Sequence, residues 1–420
     1  MPVRPLSDRR VVVTGVGAVT PLGTGVDLFW SRLLAGESGV RRVTHVDPNL
    51  FPTKIAAEVP DFEAGDWMDK KDARRSDPFI HYAAAAAKMA LDDAAIEFDE
   101  ELRDRTGVIV GTGIGGLTLM GEQTRILHDR GPDRVSPFWV AYMIGDMASG
   151  YISITHDLRG PNHCVTSACS TGANAIGDAY QIIRRGDMDA MLAGGTEAPI
   201  NEIGMAGFCA NRAMTTHWND EPTRASRPFD VGRDGFVIGE GAAVLMLEER
   251  ERAVARGATI YAEIIGYGMS ADAHHITAPH PEGRGAQASM RMALRNAGLE
   301  PEAIDYINAH GTSTPIGDPM EVAAIKGVFG DQAHRLKVSS SKSMHGHTLG
   351  AAGAIESLVC LLAMRDGRIP PTINLEDPDP ACDLDFVPNV AQDATLNTVL
   401  NNSFGFGGHN VSLIFTRHQP

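Results

Sequence analysis

A cysteine in a turn of small residues is the first feature of this sequence that could do chemistry. Cys169 lies in "TSACSTGANA", directly before the helical pattern "STGANAIGDAYQIIRR". The N-terminus of a helix carries partial positive charge, which lowers the pKa of a thiol and favours the nucleophilic thiolate. Ser170 or Thr171 is expected to satisfy open N–H groups in the first turn of this helix. We interpret Cys169 as a nucleophile; the alternative is a buried structural cysteine, the commoner role of a free thiol.

Two polar segments supply groups that could work with this thiol. The segment "SSSKSMHGHTLGAAGA" contains Lys342, His345 and His347, and "NAHGTSTPIGD" contains His310 and Asp318. His347 precedes an apolar helix whose N-terminal dipole disfavours an imidazolium, so a neutral ring there can donate a hydrogen bond to a developing oxyanion. A single histidine is more often a satisfied core residue, but two histidines beside a lysine and a thiol favour catalysis. Metal binding is less favoured, because neither H-E-x-x-H nor C-x-x-C spacing occurs.

Two glycine-rich segments have different interpretations. In "NNSFGFGGHN", Gly405, Gly407 and Gly408 can turn backbone N–H groups inward and, with the N–H of Cys169, form an oxyanion hole. A plain β-turn is the alternative for this segment taken alone. The segment "GTGIGG" matches the dinucleotide fingerprint G-x-G-x-x-G after a predicted strand. No second strand ending in an acidic residue follows at the expected distance, so nucleotide binding is not predicted.

The elements that must position these groups alternate between strands and helices. Apolar strands are predicted at residues 10–14, 106–111 and 188–193, with a helix across "PFIHYAAAAAKMALDDA". A second set of strands begins near residue 260 with "TIYAEIIGYG", "IDYINAHG", "LKVSSSK" and "NVSLIF". Between the two sets, "EERERAVARG" is predicted to be a connecting helix. The alternation predicts an α/β fold with parallel pairing in buried sheets.

The two sets of elements resemble each other. Residues 164–187 and 336–367 each run from an apolar strand through a small-residue turn into a helix. If these two corners meet, Cys169 faces the turn at residues 339–349. Sites in α/β architectures form at the carboxyl ends of strands, where the polar segments lie. We expect one domain made of two halves, residues 1–257 with Cys169 and residues 258–420 with the histidines.

Composition limits the class of protein. The chain has 420 residues, 43% of them hydrophobic, which is enough for a sizeable core. A net charge of −16 argues against nucleic acid as the main partner. No apolar run is long enough for a signal peptide or a membrane span, and five scattered cysteines fit a reduced compartment. We expect a cytoplasmic protein that binds neither nucleic acid nor membrane.

Taken together, these segments resemble the β-ketoacyl-acyl carrier protein synthases of the thiolase-like superfamily, and the type II elongating condensing enzymes most closely. The similar segments cover nearly the whole chain, from "VVVTGVGAVTPLG" through "TSACSTGANAIGDA" and "NAHGTSTPIGDPME" to "KSMHGHTLGAAGA" and "NSFGFGG". The resemblance implies a five-layered αβαβα sandwich of two similar halves, usually assembled as a homodimer.

The resemblance also implies an activity. An acyl-acyl carrier protein and malonyl-acyl carrier protein would undergo decarboxylative Claisen condensation to a 3-oxoacyl-acyl carrier protein and carbon dioxide, as in fatty acid chain elongation. No metal or organic cofactor is implied. Two alternatives stay open: a polyketide-type ketosynthase and a non-catalytic subunit that sets chain length.

Roles for individual residues follow from the same resemblance. The implied catalytic residues are Cys169, His310, His347 and Lys342. Gating and the oxyanion hole are implied for Gly405, Phe406 and Gly407, the acyl pocket for Ile114 and Phe406, and support for Asp318 and Glu321. Docking of the carrier protein is implied at Lys71, Arg74, Arg75, Arg134 and Arg212. A solvated helix face is the alternative for the basic run "DKKDARRSD". His345 and His409 stand where many relatives carry threonine.

Overall fold

A mixed β-sheet of eleven strands forms the centre of the structure, a computed structural model that describes residues 9–419. The strands are β1 (Val11–Thr20), β2 (Gly23–Thr24), β3 (Arg41–Arg42), β4 (Ile55–Ala56), β5 (Thr106–Gly111), β6 (Asn162–His163), β7 (Ala190–Glu197), β8 (Gly241–Glu249), β9 (Ala262–Ala271), β10 (Tyr306–Asn308), β11 (Lys337–Ser339), β12 (Arg368–Ile369), β13 (Gln392–Asp393), β14 (Thr398–Gly405) and β15 (His409–Thr416). Outside this sheet, β3 pairs with β4 and β12 pairs with β13.

Fourteen α-helices surround the sheet in the described part of the chain. They are α1 (Val26–Leu34), α2 (Lys70–Ala73), α3 (Pro78–Ala94), α4 (Glu100–Asp104), α5 (Leu117–Arg130), α6 (Trp139–Met143), α7 (Met147–His156), α8 (Thr171–Arg184), α9 (Glu202–Ala210), α10 (Arg250–Ala255), α11 (Arg284–Ala297), α12 (Gly317–Phe329), α13 (Lys342–His345) and α14 (Ala352–Asp366). Within residues 9–419, none of them has the length and hydropathy needed to cross a bilayer.

The order of the strands divides the sheet into two halves with the same topology. One half runs β6-β5-β7-β8-β1 and the other runs β11-β10-β14-β15-β9. Numbered from its own first strand, each half therefore has the order 3-2-4-5-1. The halves join where residues 11–13 of β1 pair with residues 262–264 of β9. This repeated order confirms the prediction of two similar halves.

Helices fill the space on both faces of each half. On the outer face of the first half, α3 packs against β1, β7 and β8, and on the outer face of the second, α11 packs against β9 and β15. Between the halves lie α8 and α14, which pack against each other and against strands of both halves. The layers are therefore helix, sheet, helix, sheet and helix, which confirms the predicted αβαβα sandwich.

Several elements differ from their predictions. The helix Pro78–Ala94 and the strand Thr106–Gly111 have the bounds that the sequence indicated. In contrast, β1 continues beyond its predicted end at residue 14 to Thr20, because Gly17 lets α3 pack directly on the strand: a Cβ atom there would lie 2.0 Å from the carbonyl oxygen of Ala86. Strand β8 was not predicted, and it pairs antiparallel with both β1 and β7. The sheet is therefore mixed, and the prediction of parallel pairing holds only for β5 with β6 and β7, and for β10 with β11 and β14.

Glycine allows the two central helices to approach closely near their N-termini. A Cβ atom at Gly172 would lie 2.8 Å from the amide nitrogen of Ala354, and one at Gly353 would lie 2.7 Å from that of Ala173. Real Cβ atoms do not approach backbone nitrogens so closely, so each position excludes a side chain. This contact brings together the turn before α8, which carries Cys169, and the turn before α14.

We expect Gly353→Ala to lower the free energy of unfolding by about 1–3 kcal/mol, because the added methyl group overpacks the α8–α14 contact. Gly121→Ala is the matched control, since it lies inside α5 with no atom within 4 Å of the added Cβ. In the control, alanine's higher helix propensity should leave stability unchanged or raise it by up to about 1 kcal/mol. Urea denaturation measures both changes, and equal stabilities of the two variants would contradict the packing argument.

Candidate active site

A cavity of about 370 Å³ lies between the two halves, where Cys169 and the two predicted histidines meet. The turn that carries Cys169, which we call the nucleophile turn after its predicted role, belongs to the first half, and His310 and His347 belong to the second. The predicted contact between the corners is present, because Cys169 packs in one apolar cluster with Leu349 of the turn before α14. Other predicted residues that line the cavity are Arg212, Glu321, Gly405 and Phe406.

Cys169 lies on a short 3-10 turn, Ala168–Ser170, that leads into α8. Ala168 has a φ of 51°, a left-handed conformation that is uncommon for a residue other than glycine. The prediction that Ser170 or Thr171 caps the helix is wrong. Ser170 Oγ instead donates to the carbonyl oxygens of Ser403 and His409, and Thr171 Oγ1 accepts the N–H of Ser167. These bonds fix the turn to β14 and β15.

Burial raises the pKa of the Cys169 thiol to about 12. The N–H of Phe406, the charge of Lys342 and the N–H of Cys169 itself act in the opposite direction. The prediction of a lowered pKa is therefore wrong, because desolvation of the sulfur outweighs these stabilising groups. The same two N–H groups are those that the sequence indicated as an oxyanion hole.

His310 and His347 form a pair of buried rings beside the cavity. Their ring centroids lie 5.4 Å apart, with an angle of 86° between the ring planes. The pKa of each ring is held well below its ordinary value, chiefly by burial and secondly by the charge of Lys342. Both imidazoles are therefore neutral near pH 7, as predicted for His347. Neither Nδ1 atom has a hydrogen-bond partner among residues 9–419.

A buried ion pair between Lys342 and Glu356 lies near the two histidines. Lys342 is 1% exposed and its Nζ binds the carboxylate of Glu356, which is fully buried in α14. Lys342 is among the residues predicted from the sequence, whereas Glu356 is not. The signal was present, because Glu356 is the single acidic residue in the otherwise apolar and small-residue segment "LGAAGAIESLVCLLAM". A charged residue in a fully buried helix requires a partner.

Two other predicted carboxylates hold the loop that carries His310. The two oxygens of Glu321 accept the backbone N–H groups of His310 and Gly311, at 2.9 and 2.7 Å. Asp318 accepts the N–H groups of Phe229 and Ser313, at 2.9 and 3.1 Å. Burial raises the pKa of Asp318 to about 6 and that of Glu321 to about 7. Of these two, only Glu321 lines the cavity.

The glycine-rich segment "GTGIGG" binds an anion that belongs to the chain itself. Glu197, at the end of β7, is fully buried and accepts the N–H groups of Gly113 at 2.8 Å and Ile114 at 3.1 Å. It also accepts the N–H of Gly350, at 2.9 Å, from the turn before α14. The resemblance of this segment to a nucleotide-binding loop therefore has an internal explanation. Glu197, which the sequence analysis missed, joins the two halves beside the cavity.

The end of β14 and the loop after it approach Cys169 closely. A Cβ atom at Gly405 would lie 3.0 Å from the amide nitrogen of Cys169, so a side chain is excluded there. Gly407 has a φ of 84°, and its N–H donates to the carbonyl oxygen of Ile276 at 2.7 Å. His409 follows this loop and is exposed, whereas His345 is fully buried with Nε2 3.0 Å from Ser341 Oγ.

Other predicted residues lie outside the cavity. Ile114 is 41% exposed and does not line it within this chain. Of the basic residues implied in docking, only Arg212 lines the cavity, where it is exposed and has a φ of 57°. The guanidinium of Arg75 lies 4.4 Å from the centroid of the Phe138 ring. Lys71, Arg74 and Arg134 are exposed.

Comparison with known proteins agrees with this arrangement. The fold is that of the thiolase-like ketosynthases: a β-ketoacyl synthase from Burkholderia phymatum has a TM-score of 0.89 and 39% identity, over 98% of this chain and 100% of that one. The family models "Beta-ketoacyl synthase, N-terminal domain" and "Beta-ketoacyl synthase, C-terminal domain" match residues 8–253 and 261–376. The chain belongs to the β-ketoacyl synthase family.

Relatives extend over the full length. A protein of Coxiella burnetii named 3-oxoacyl-(acyl-carrier-protein) synthase 2 is 52% identical, over 98% of this chain and 99% of its own. A protein of Synechocystis with the same name is 49% identical over 99% of both chains. Among solved structures, a type II polyketide ketosynthase bound to its acyl-carrier protein has 34% identity and a TM-score of 0.91, over 98% of this chain and 100% of that one.

The raised pKa of Cys169 predicts how its alkylation by iodoacetamide depends on pH. Since only the thiolate reacts, the rate should rise about tenfold per pH unit from pH 7 to 9 without a plateau. Mass spectrometry of the peptide that contains Cys169 measures the rate. The urea-unfolded chain is the control, because its thiols have an ordinary pKa and the rate should level off above about pH 9. A plateau below pH 8 in the folded protein would instead indicate an activated thiolate.

Proposed function

We propose that this chain is a 3-oxoacyl-acyl carrier protein synthase, an acyltransferase that extends fatty acyl chains by decarboxylative condensation with malonyl-acyl carrier protein. The observation that carries the proposal is the cavity in which one thiol from the first half faces two neutral, buried histidines from the second. The names of the full-length relatives support the same activity. No cofactor enters the proposed reaction.

In the first step, Cys169 takes the acyl group from its carrier. A bond forms between Sγ and the carbonyl carbon, the bond from that carbon to the carrier's sulfur breaks, and the thiol proton ends on the departing carrier. The N–H groups of Cys169 and Phe406 donate to the oxyanion of the tetrahedral intermediate. A sulfur that is protonated at rest fits this step, because the buried thiolate is needed only as the new bond forms.

In the second step, malonyl-carrier loses carbon dioxide. The electron pair of the breaking carbon–carbon bond forms an enolate, whose oxygen accepts hydrogen bonds from His310 and His347. Neutral rings suit this role because they can donate without losing a proton. The enolate carbon then attacks the acyl-Cys169 thioester, the sulfur leaves and takes up a proton, and the product is two carbons longer.

Lys342 orients this site through its charge. Its ammonium lies close enough to both histidines to help keep them neutral, and Glu356 compensates its buried charge. Glu321 and Asp318 keep the His310 loop in place through their backbone hydrogen bonds. Phe406 would gate access to Cys169 from the loop that holds Gly405 and Gly407.

Fatty acid elongation is favoured over a polyketide pathway by sequence similarity. Full-length relatives named 3-oxoacyl-(acyl-carrier-protein) synthase 2 are 49–52% identical, whereas a ketosynthase described with a chain length factor is 39% identical. A non-catalytic subunit is disfavoured because Cys169 lies in the cavity with both histidines.

We propose a homodimer, in which Ile114 would complete the acyl pocket at the subunit contact. Strand β6 is an edge of the sheet and is exposed, and an unpaired edge strand readily adds a second chain. Exposed apolar side chains between residues 114 and 144 supply further apolar surface for such a contact: Ile114, Phe138, Val140 and Ile144. We further propose a cytoplasmic location, and a division into halves at residues 1–257 and 258–420.

The proposed function predicts the behaviour of Cys169→Ala. This variant should lose acyl transfer and condensation, yet retain some decarboxylation of malonyl-carrier, because His310 and His347 remain. Release of labelled carbon dioxide and formation of 3-oxoacyl-carrier are measured separately. Elongation by Cys169→Ala would contradict the role of this sulfur, and absence of decarboxylation by the unaltered protein would contradict the proposed function itself.

A second prediction concerns docking of an acidic carrier protein, which the net charge of −16 would otherwise repel. Arg212→Glu at the cavity and Arg74→Glu at the C-terminal end of α2 should weaken use of carrier-bound substrates, most at low salt, because exposed charges mainly steer encounter. Turnover of short pantetheine thioesters should change little. Arg295→Glu, an exposed arginine on α11, is the matched control. Equal losses on both kinds of substrate would exclude a docking role.

A further inference from the structure

A continuous chain of side-chain hydrogen bonds begins two residues before Cys169. Ser167 Oγ donates to Asn174 Oδ1 at 2.5 Å, and Asn174 Nδ2 donates to the Tyr267 hydroxyl at 2.7 Å. The Tyr267 hydroxyl in turn donates to Asp178 Oδ1 at 2.9 Å. Ser167, Asn174 and Tyr267 are buried, and Asp178 is half-buried. Every bond in the chain therefore points away from the nucleophile and towards one carboxylate.

This arrangement favours mutual strengthening of the bonds. Hydrogen bonds that run in one direction polarise each other, and a carboxylate at the end is a stronger acceptor than a neutral group. The tyrosine is suited to its place, since burial and the nearby Asp178 raise its pKa far above the ordinary value and keep it protonated as a donor. Loss of its hydroxyl would leave the Nδ2 group of Asn174 with only a 3.8 Å contact to the Met269 sulfur.

The hydrogen-bond chain from Ser167 to Asp178 connects the two halves of the molecule. Ser167, Asn174 and Asp178 belong to the nucleophile turn and α8, whereas Tyr267 lies on β9 of the other half. Gly177 of α8 leaves room for the Tyr267 ring, because a Cβ atom at that position would lie 2.3 Å from it. The ring therefore packs directly on the backbone of α8, and this packing fixes the position of its hydroxyl.

The backbone of Ser167 contacts both the turn that carries Cys169 and the end of β14, where the glycine loop begins. Its carbonyl oxygen accepts the N–H of Ser170 at 3.1 Å and is so close to the glycine loop that a Cβ at Gly405 would lie 2.7 Å from it. Between Ser167 and Cys169 stands only Ala168, with its left-handed φ of 51°. A shift of Ser167 would therefore move both the sulfur and the loop that carries the Phe406 N–H.

We propose that Tyr267 is a positioning residue for the Cys169 sulfur. Through Asn174 it fixes Ser167, and Ser167 fixes the strained turn that holds the sulfur beside the backbone N–H groups of Cys169 and Phe406. The inference rests on the proposed function for its effect on turnover. Its effect on the reactivity of the Cys169 sulfur does not depend on that function.

The test replaces one oxygen atom. Tyr267→Phe keeps the ring in its place and removes the hydroxyl that joins Asn174 to Asp178. We expect kcat for condensation to fall about tenfold, with KM for the carrier substrates within about twofold, because misplacement of a reacting group lowers turnover more than binding. Alkylation of Cys169 by iodoacetamide should also slow, since the N–H groups that stabilise the thiolate are displaced.

Tyr261→Phe is the matched control. Tyr261 also bonds an aspartate of the other half, Asp93 at 2.9 Å, but its bond has no connection to the nucleophile turn. This variant should retain kcat and alkylation within about twofold of the unaltered protein. If Tyr267→Phe behaves like this control in both assays, the proposal is overturned.

Variants of Ser167 and Asp178, the two ends of the hydrogen-bond chain, separate a positioning role of Tyr267 from a general effect on stability. Ser167→Ala combined with Tyr267→Phe should be no slower than the slower single variant, because both remove the same coupling. Asp178→Asn keeps an acceptor oxygen and should retain most of kcat, whereas Asp178→Ala should resemble Tyr267→Phe. Multiplying losses in the double variant, or equal losses in the two Asp178 variants, would show a merely structural role. An unaltered protein that does not condense would refute the proposed function, and the alkylation assay would still decide the role of Tyr267.

Discussion

The site depends on the close contact between the N-termini of α8 and α14. Gly172 and Gly353 let the two helices approach until their backbones touch, and each helix is preceded by a turn that carries reactive groups. The contact therefore places the sulfur of one half beside the histidine and lysine of the other. Glu197 adds a polar connection at the same place, because it accepts N–H groups from both halves. Neither half could form this cavity alone.

Burial then sets the charge state of every group that the helices bring together. Desolvation keeps the histidines neutral and the thiol protonated, and it raises the pKa of Glu321 and Glu356 to about 7. One buried ammonium, that of Lys342, opposes this effect for the carboxylates and adds to it for the histidines. The thiol and both imidazoles are therefore neutral before reaction, and such a site of hydrogen-bond donors stabilises the negative charge that develops on a thioester oxygen.

Much of this arrangement could be predicted from the sequence, because small residues, glycines and polar strand ends mark the turns. The pattern identified Cys169, His310, His347 and Lys342, and the similarity of two strand–turn–helix corners predicted the repeated halves. The protonation state of the Cys169 thiol was harder to predict. The sequence shows where the thiol lies relative to a helix, but not how deeply it is buried, so the direction of its pKa shift was wrong.

Partners of buried groups were missed for the same physical reason. Glu356 pairs with Lys342, 14 residues away in the same half, and its position as the single acidic residue of an apolar segment was its signal. Glu197 acts through contacts with Gly113 and Gly350, 84 and 153 residues away in sequence, which no local pattern records. The hydrogen-bond chain from Ser167 to Asp178 also depends on Tyr267, a strand residue with no chemical signature in its own segment. These contacts appear only when the packing of the two halves is known.

Trapping the acyl-enzyme shows whether a single sulfur, that of Cys169, carries the growing acyl chain beside the two histidines. The protein is incubated with acyl-carrier alone, and peptides are examined by mass spectrometry before and after addition of malonyl-carrier. We expect one acyl group on the peptide that contains Cys169, and its disappearance with formation of a 3-oxoacyl-carrier two carbons longer. An acyl group on another cysteine, or one that persists on Cys169 after malonyl-carrier is decarboxylated, would contradict this expectation.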